Sequence, residues 1–199
     1  MPIIGIITRK SISEEKHNIH IIYDSIINAI NRYCCIPIGI YLDKNYKDVL
    51  NICDGVIYEG GDDLEEYELE SLKYLYDNNK PVLCICMGMQ SMGLLFNGEL
   101  IEIKNHKKKL NYAHEIYINR YSKIYNILKK DTIKVNSRHN YVVKNPKLKV
   151  SAISNDGYIE AIEDSSKKFF IGVQWHPESM IDYSDIQNKI FEEFVKSCN

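Results

Sequence analysis

The decapeptide Pro81-Val-Leu-Cys-Ile-Cys-Met-Gly-Met-Gln90 constrains this chain more than any other segment, because it joins an apolar strand to a helix with no loop between them. Val82 to Ile85 is apolar at every position, as a strand buried on both faces must be, and Gly88 to Phe96 can restart a helix at once. Such a junction is a nucleophile elbow. The residue at the turn is held in a strained conformation with its side chain above the sheet, and small residues two before and two after it let strand and helix approach. Cys84 and Gly88 hold those places around Cys86. A thiol at a helix N-terminus also meets the positive end of the helix dipole and free backbone N–H groups, which favour its thiolate. Cys86 taken alone also suits a buried small residue like Cys84, so a base has to be found elsewhere in the chain.

Around the elbow the sequence alternates between short β-rich runs and helical periodicity, the pattern of an α/β domain. Ile3 to Thr8, Cys35 to Ile40 and a run ending at Val56 to Tyr58 are strand candidates. Ile21, Ile22, Ile26 and Ile30 predict a helix over His20 to Tyr33, and Leu69, Leu72 and Leu75 predict another over Glu65 to Asn79, stopped by Pro81. The second half carries strand-like alternation at His114 to Ile118, Thr132 to Val135, Lys149 to Ile153, Tyr158 to Ile162 and Phe169 to Val173, some of it antiparallel. A helix from about Ser184 to Lys196 closes the chain. The expected fold is a flavodoxin-like three-layer α/β/α arrangement around a mostly parallel sheet. With 199 residues and no linker or repeat, residues 1–199 are expected to form one domain.

The second informative segment is Gly172-Val-Gln-Trp-His-Pro-Glu178, which follows a predicted strand. Proline pushes the residue before it into the extended region. If that conformation continues through Pro177, residues 176 and 178 point to one side. Glu178 then orients one imidazole nitrogen of His176 while the other faces the thiol, the arrangement nucleophilic catalysis requires.

Cys86-Met-Gly-Met-Gln90 followed by Trp175-His-Pro-Glu178 resembles the class I glutamine amidotransferases. Pro2-Ile-Ile-Gly-Ile-Ile, Asp54-Gly-Val-Ile-Tyr-Glu-Gly-Gly-Asp-Asp63, Val135-Asn-Ser-Arg-His139 and Gly157-Tyr-Ile-Glu-Ala-Ile-Glu163 are similar to the γ-glutamyl-γ-aminobutyrate hydrolase branch, peptidase family C26. The resemblance implies hydrolysis of a γ-glutamyl amide through a thioester on Cys86, with His176 and Glu178 completing a triad. It implies an oxyanion site at the backbone of Gly60, Gly61 and Met87, and a glutamyl site formed by Gln90 and the main chain of Ser137, Arg138 and His139. It also implies a small-molecule γ-glutamyl substrate, no cofactor, and either a freestanding hydrolase or a glutaminase that feeds a separate synthetase. The chain departs from the branch at Cys84, usually Gly, which is small enough to keep the elbow, and at Met87, usually Arg, and in a shorter segment after the Gly-Gly turn, the last two of which bear on the leaving-group side. The DJ-1-like proteins share the elbow but lack His-Pro-Glu.

Composition excludes several alternatives. A net charge of −2 with interspersed signs gives no electrostatic reason for a nucleic-acid partner, and Lys104, His106, Lys107, Lys108 and Lys109 are expected to be a solvated loop. No apolar run suits a membrane span, and the N-terminus lacks the basic region of a signal peptide. Cys34, Cys35, Cys53, Cys84, Cys86 and Cys198 show no pairing framework, so reduced thiols in a cytoplasm are expected. No metal is expected: Asp62 and Asp63 have no His or Cys at ligand spacing and are assigned to a turn or helix cap.

Overall fold

Continuous apolar runs become strands buried on both faces. The computed structural model describes residues 1–199. Its elements are, in chain order, β1 (Ile3–Ile7), β2 (Arg9–Ile12), β3 (Asn18–Ile21), α1 (Asp24–Asn31), β4 (Ile36–Ile40), α2 (Tyr46–Ile52) and β5 (Gly55–Tyr58). They continue with α3 (Glu68–Asp77), β6 (Val82–Ile85), α4 (Met87–Leu95), β7 (Glu99–Glu102), β8 (His114–Ile118), α5 (Lys123–Leu128) and β9 (Thr132–Val135). The last are β10 (Tyr141–Lys144), β11 (Lys149–Ser154), β12 (Ile159–Glu163), β13 (Phe170–Val173) and α6 (Asp185–Ser197).

Nine strands form one sheet in the order β4-β1-β5-β6-β13-β12-β11-β8-β9. It is a mixed sheet. From β4 to β13 every neighbour is parallel, and from β13 to β9 every neighbour is antiparallel. Two small antiparallel sheets, β7 with β10 and β2 with β3, stand apart from it.

Alternate residues of the parallel strands supply two cores, because side chains point to opposite faces with period two. Ile4, Ile6, Ile57, Leu83, Ile85, Ile171 and Val173 face α1, α5 and α6, meeting Ile26, Ile30, Ile124, Leu128, Phe191 and Phe194. Val56, Tyr58, Val82, Cys84 and Phe170 face α2, α3 and α4, meeting Leu50, Leu72, Leu75, Met89 and Met92. The result is the three-layer α/β/α architecture. No helix is long and apolar enough to cross a membrane.

Two boundaries differ from those the spacing predicts. The helix expected over His20 to Tyr33 begins only at Asp24, because Asn18–Ile21 pairs with Arg9–Ile12 as a hairpin. The hairpin turn uses Lys16 at φ 62° where a glycine would have signalled it. The helix expected from Glu65 starts at Glu68, after Tyr67 in the left-handed region, so neither Asp62 nor Asp63 caps it.

Candidate active site

Cys86 sits between β6 and α4 with φ 52° and ψ −103°, a left-handed backbone that a non-glycine residue keeps only when its surroundings enforce it. Two contacts enforce it. The Cys86 N–H donates to Val173 O at 2.8 Å, extending the β6–β13 ladder one step beyond the strand, and Gln90 N–H donates to Cys86 O at 3.1 Å, opening the helix. Gly88 is compulsory for this junction, since a Cβ there would lie 2.4 Å from the Tyr58 carbonyl oxygen of β5.

Because β13 lies beside β6 and pairs Val173 with Ile85, the chain leaving β13 passes directly over the elbow. His176 is three residues on. Its N–H donates to Asn136 Oδ1 at 2.9 Å and its carbonyl accepts from Asn136 Nδ2 at 2.8 Å, so the side chain of Asn136 clamps the backbone of His176 on both sides. The expected extension through Pro177 does not occur. His176 is extended at φ −108°, ψ 84°, but Pro177–Ser179 is a 3-10 turn with proline at its first position, where a missing N–H costs nothing. The turn brings Glu178 back toward the ring, and its Oε1 lies 2.7 Å from His176 Nδ1. Burial opposes charge on His176. The Glu178 carboxylate, then the Cys86 thiolate and its hydrogen bond to the ring, outweigh that and raise the imidazole from 6.5 to about 10. The imidazole is therefore protonated at neutral pH, between the Cys86 sulfur and the Glu178 carboxylate.

Gly60 packs against the ring, and a Cβ on it would come within 2.8 Å of His176 Cε1 and 3.5 Å of Cys86 Cβ. Gly61 is filled from the other side by Arg9, whose Cδ would meet a Cβ at 2.9 Å. Arg9 carries no signal in the sequence as a site residue, yet it is buried and fixes this turn. Its Nε and Nη2 donate to the Glu59 carbonyl at 3.1 and 2.5 Å, and its guanidinium pairs with Glu68, which also accepts from Ser91 Oγ of α4 at 2.6 Å. Met87 opens α4, so its N–H belongs to the helix's first turn, which has no partner within the helix.

Gln90, Arg138 and His139 also come together here, but not all through their side chains. A cleft of about 220 Å³ is lined by Tyr23, Gly60, Asp62, Cys86, Arg138 and His176. A second lobe of about 100 Å³ adds Gln90, Lys107, His139 and Tyr141, and shares Gly61, Asp62, Cys86 and Arg138 with the first. Gln90 is buried and donates to Tyr141 O at 3.0 Å, which anchors the segment carrying Ser137 to His139. Ser137 O accepts from Lys108 N–H at 3.0 Å. The ring of His139 is directed to Glu160, its Nε2 3.7 Å from Oε1. His106, expected in a solvated basic loop, is likewise buried beside Glu160.

Glu59, next to the Gly60–Gly61 turn, is fully buried. Its Oε2 accepts from Tyr23 N–H at 3.2 Å and Oε1 has no partner. Burial, only partly offset by that N–H and by Arg9, pushes its carboxyl up to about 7. No sequence signal distinguishes it from an exposed acid.

A family model described as peptidase C26 matches residues 64–178. The gamma-glutamyl-gamma-aminobutyrate hydrolase of Escherichia coli O157:H7 is 28% identical, with 80% of this chain and 71% of that protein covered. Protein NtpR of Enterococcus hirae is 26% identical over 98% of this chain and 99% of its own length. The glutaminase domain of Trypanosoma brucei CTP synthase, solved with bound acivicin, superimposes with a TM-score of 0.74 at 18% identity, covering 98% of this chain and 94% of that one. Since the model spans more than half of the sequence, the chain belongs to the peptidase C26 family of class I glutamine amidotransferase-like proteins, and is a hydrolase or glutaminase of that family.

Proposed function

We propose that this chain hydrolyses a γ-glutamyl amide bond through a γ-glutamyl thioester on Cys86. One observation carries this reading: a cysteine at an enforced left-handed elbow, coupled to an imidazole whose other nitrogen lies 2.7 Å from a buried carboxylate. The thiolate attacks the amide carbonyl carbon, and the oxygen becomes an oxyanion facing the Met87 N–H and the Gly60–Gly61 backbone. His176 gives its proton to the leaving amine or ammonia as the C–N bond breaks. It then takes a proton from water, whose oxygen attacks the thioester and releases glutamate and the thiolate. Glu178 keeps the imidazole oriented and stabilises its charge throughout.

The glutamyl end is assigned to the second lobe. Arg138 and Asp62 line both lobes, a cation and an anion suited to the α-carboxylate and α-ammonium of a glutamyl group. Gln90 and the Ser137 to His139 main chain complete that wall. The chemistry requires no cofactor. Six free thiols fit a reducing compartment such as the cytoplasm.

The likeness in fold to a CTP synthase glutaminase domain supports a second reading, a glutaminase that passes ammonia to a separate synthetase. Purified chain offered glutamine and a panel of γ-glutamyl amines separates the two. The first reading predicts glutamate release from γ-glutamyl amines by the chain alone. Glutamine hydrolysis that appears only on adding a synthetase would replace it with the second.

A further inference from the structure

Away from the cysteine, four buried side chains from four segments converge on one point. His106 lies in the loop after β7, His114 opens β8, His139 lies between β9 and β10, and Glu160 lies in β12. Nε2 of His106 and Nε2 of His114 are each 3.1 Å from Glu160 Oε1, and Nε2 of His139 is 3.7 Å from it. The side chains are 2%, 5%, 1% and 0% exposed in that order. Three imidazoles thus crowd one carboxylate in a place walled off from water. His106 Nε2 meets Glu160 with hydrogen-bond geometry. His114 Nε2, His139 Nε2 and Glu160 Oε2 make no hydrogen bond of good geometry, although His114 Nε2 lies within ion-pair distance of Glu160 Oε1.

The tautomer of His139 sharpens the point. Its Nδ1 lies 3.1 Å from the Tyr141 carbonyl, which can only accept, so Nδ1 carries the hydrogen of the neutral ring. Nε2 is then a bare lone pair aimed at a carboxylate oxygen. Two acceptors facing each other in a buried site call for a cation between them.

We propose that His106, His114, His139 and Glu160 form a structural site for a divalent transition metal of the zinc class. Ligand bonds of about 2.1 Å in a tetrahedron place neighbouring ligand atoms about 3.4 Å apart; the three separations from Glu160 Oε1 are 3.1, 3.1 and 3.7 Å, and the ligand atoms of His106, His114 and Glu160 all lie within 4.8 Å of one another, with His139 as the fourth. An all-nitrogen and oxygen donor set rich in imidazole selects zinc, cobalt or nickel over magnesium and calcium. Four protein ligands in a closed pocket leave no open position for chemistry, so the role is structural. Outer partners are in place as well. Asp156 Oδ2 lies 2.7 Å from His106 Nδ1, and Tyr141 O holds His139, the carboxylate and carbonyl contacts that orient metal-bound imidazoles. His139 and Lys107 belong to the wall of the second lobe, so the ion would pin the loops that shape it. The metal site stands whether or not Cys86 is the nucleophile.

The test uses the full chain as Cys86→Ser, which removes the triad thiol as a competing ligand. After chelator treatment and dialysis it is titrated with Zn²⁺ by calorimetry and with Co²⁺ by absorbance. The expected result is one equivalent retained through desalting, visible bands of tetrahedral Co²⁺ with no near-ultraviolet thiolate-to-metal band, and a higher Tm with Zn²⁺. His114→Gln should abolish binding. Asp156→Asn, at a half-exposed position that leaves the core intact, should weaken it about 10–100-fold. Absence of uptake by the parent, a thiolate band, or Asp156→Asn and a folded His114→Gln that bind as tightly as the parent would each overturn the site, leaving the cluster a proton-held network.

Discussion

Cys86 keeps a left-handed backbone because Val173 and the first turn of α4 both hold it there, and the residues around it keep a protonated imidazole beside its sulfur. Glu178 is the largest of the influences that raise His176. Glu178→Gln should therefore lower kcat/KM by about 10²–10⁴-fold with the fold intact by circular dichroism; a variant within a few-fold of wild type would show that the carboxylate is dispensable. The same coupling fixes a pH window for stability. The folded pKa of His176, about 10, lies above the ordinary 6.5, so the protonated ring stabilises the fold fully below pH 6.5, and this contribution is lost as pH rises through 10. In chemical denaturation, the stability difference between wild type and His176→Gln should shrink as pH rises through 10. Glu59 behaves differently. Its carboxyl titrates near 7 when folded and near 4.5 when unfolded, so the unfolded state gains by ionising and wild-type stability falls across that interval. Glu59→Gln removes the loss, and the variant should gain on wild type between pH 4.5 and 7; a constant difference would contradict a buried neutral acid.

At the level of elements, the elbow works because α4 touches β5 and because β13 carries the histidine past it. Gly88→Ala drives a Cβ into the Tyr58 carbonyl, which is backbone and cannot swing aside. It should cost about 1–3 kcal/mol of stability and lower kcat, measured by urea unfolding and by glutamate release. Asn136→Ala should separate position from chemistry: it removes both bonds that clamp the His176 backbone, so kcat should fall while the raised pKa of the imidazole, read by NMR, persists. The elbow and the strands β6, β8, β9 and β13 were legible because continuous or alternating apolar runs state their own burial. Three features were not legible. The β2–β3 hairpin turns on Lys16, a residue with no turn signature, and Ile21 and Ile22 fit a helical stripe equally well. The helices α2 and α5 are two turns or fewer, too short for a periodic stripe: Tyr46 with Leu50 and Ile124 with Leu128 are single i, i+4 pairs. The 3-10 turn at Pro177–Ser179 reads locally as an extended X-Pro step and is set by its surroundings.

At the scale of the whole molecule, function depends on one insertion: β13 enters the sheet between β6 and β12, joining the parallel half to the antiparallel half at the site itself. Cys86 comes from the parallel half, while His176 follows the joining strand and is clamped by Asn136 at the end of β9 on the far antiparallel edge. Motif order signalled that Cys86 and His176 meet, but Arg9, Asn136, Glu59 and the His106–His114–His139–Glu160 cluster depend on contacts between distant segments, which no local pattern encodes. The most direct test of the central claim is to quench the chain during turnover of a γ-glutamyl amide and map the acylated peptide by mass spectrometry. The thioester mechanism predicts a glutamyl adduct on Cys86, absent in Cys86→Ala together with turnover. Glutamate release that persists in Cys86→Ala, or an adduct on another residue, would contradict it.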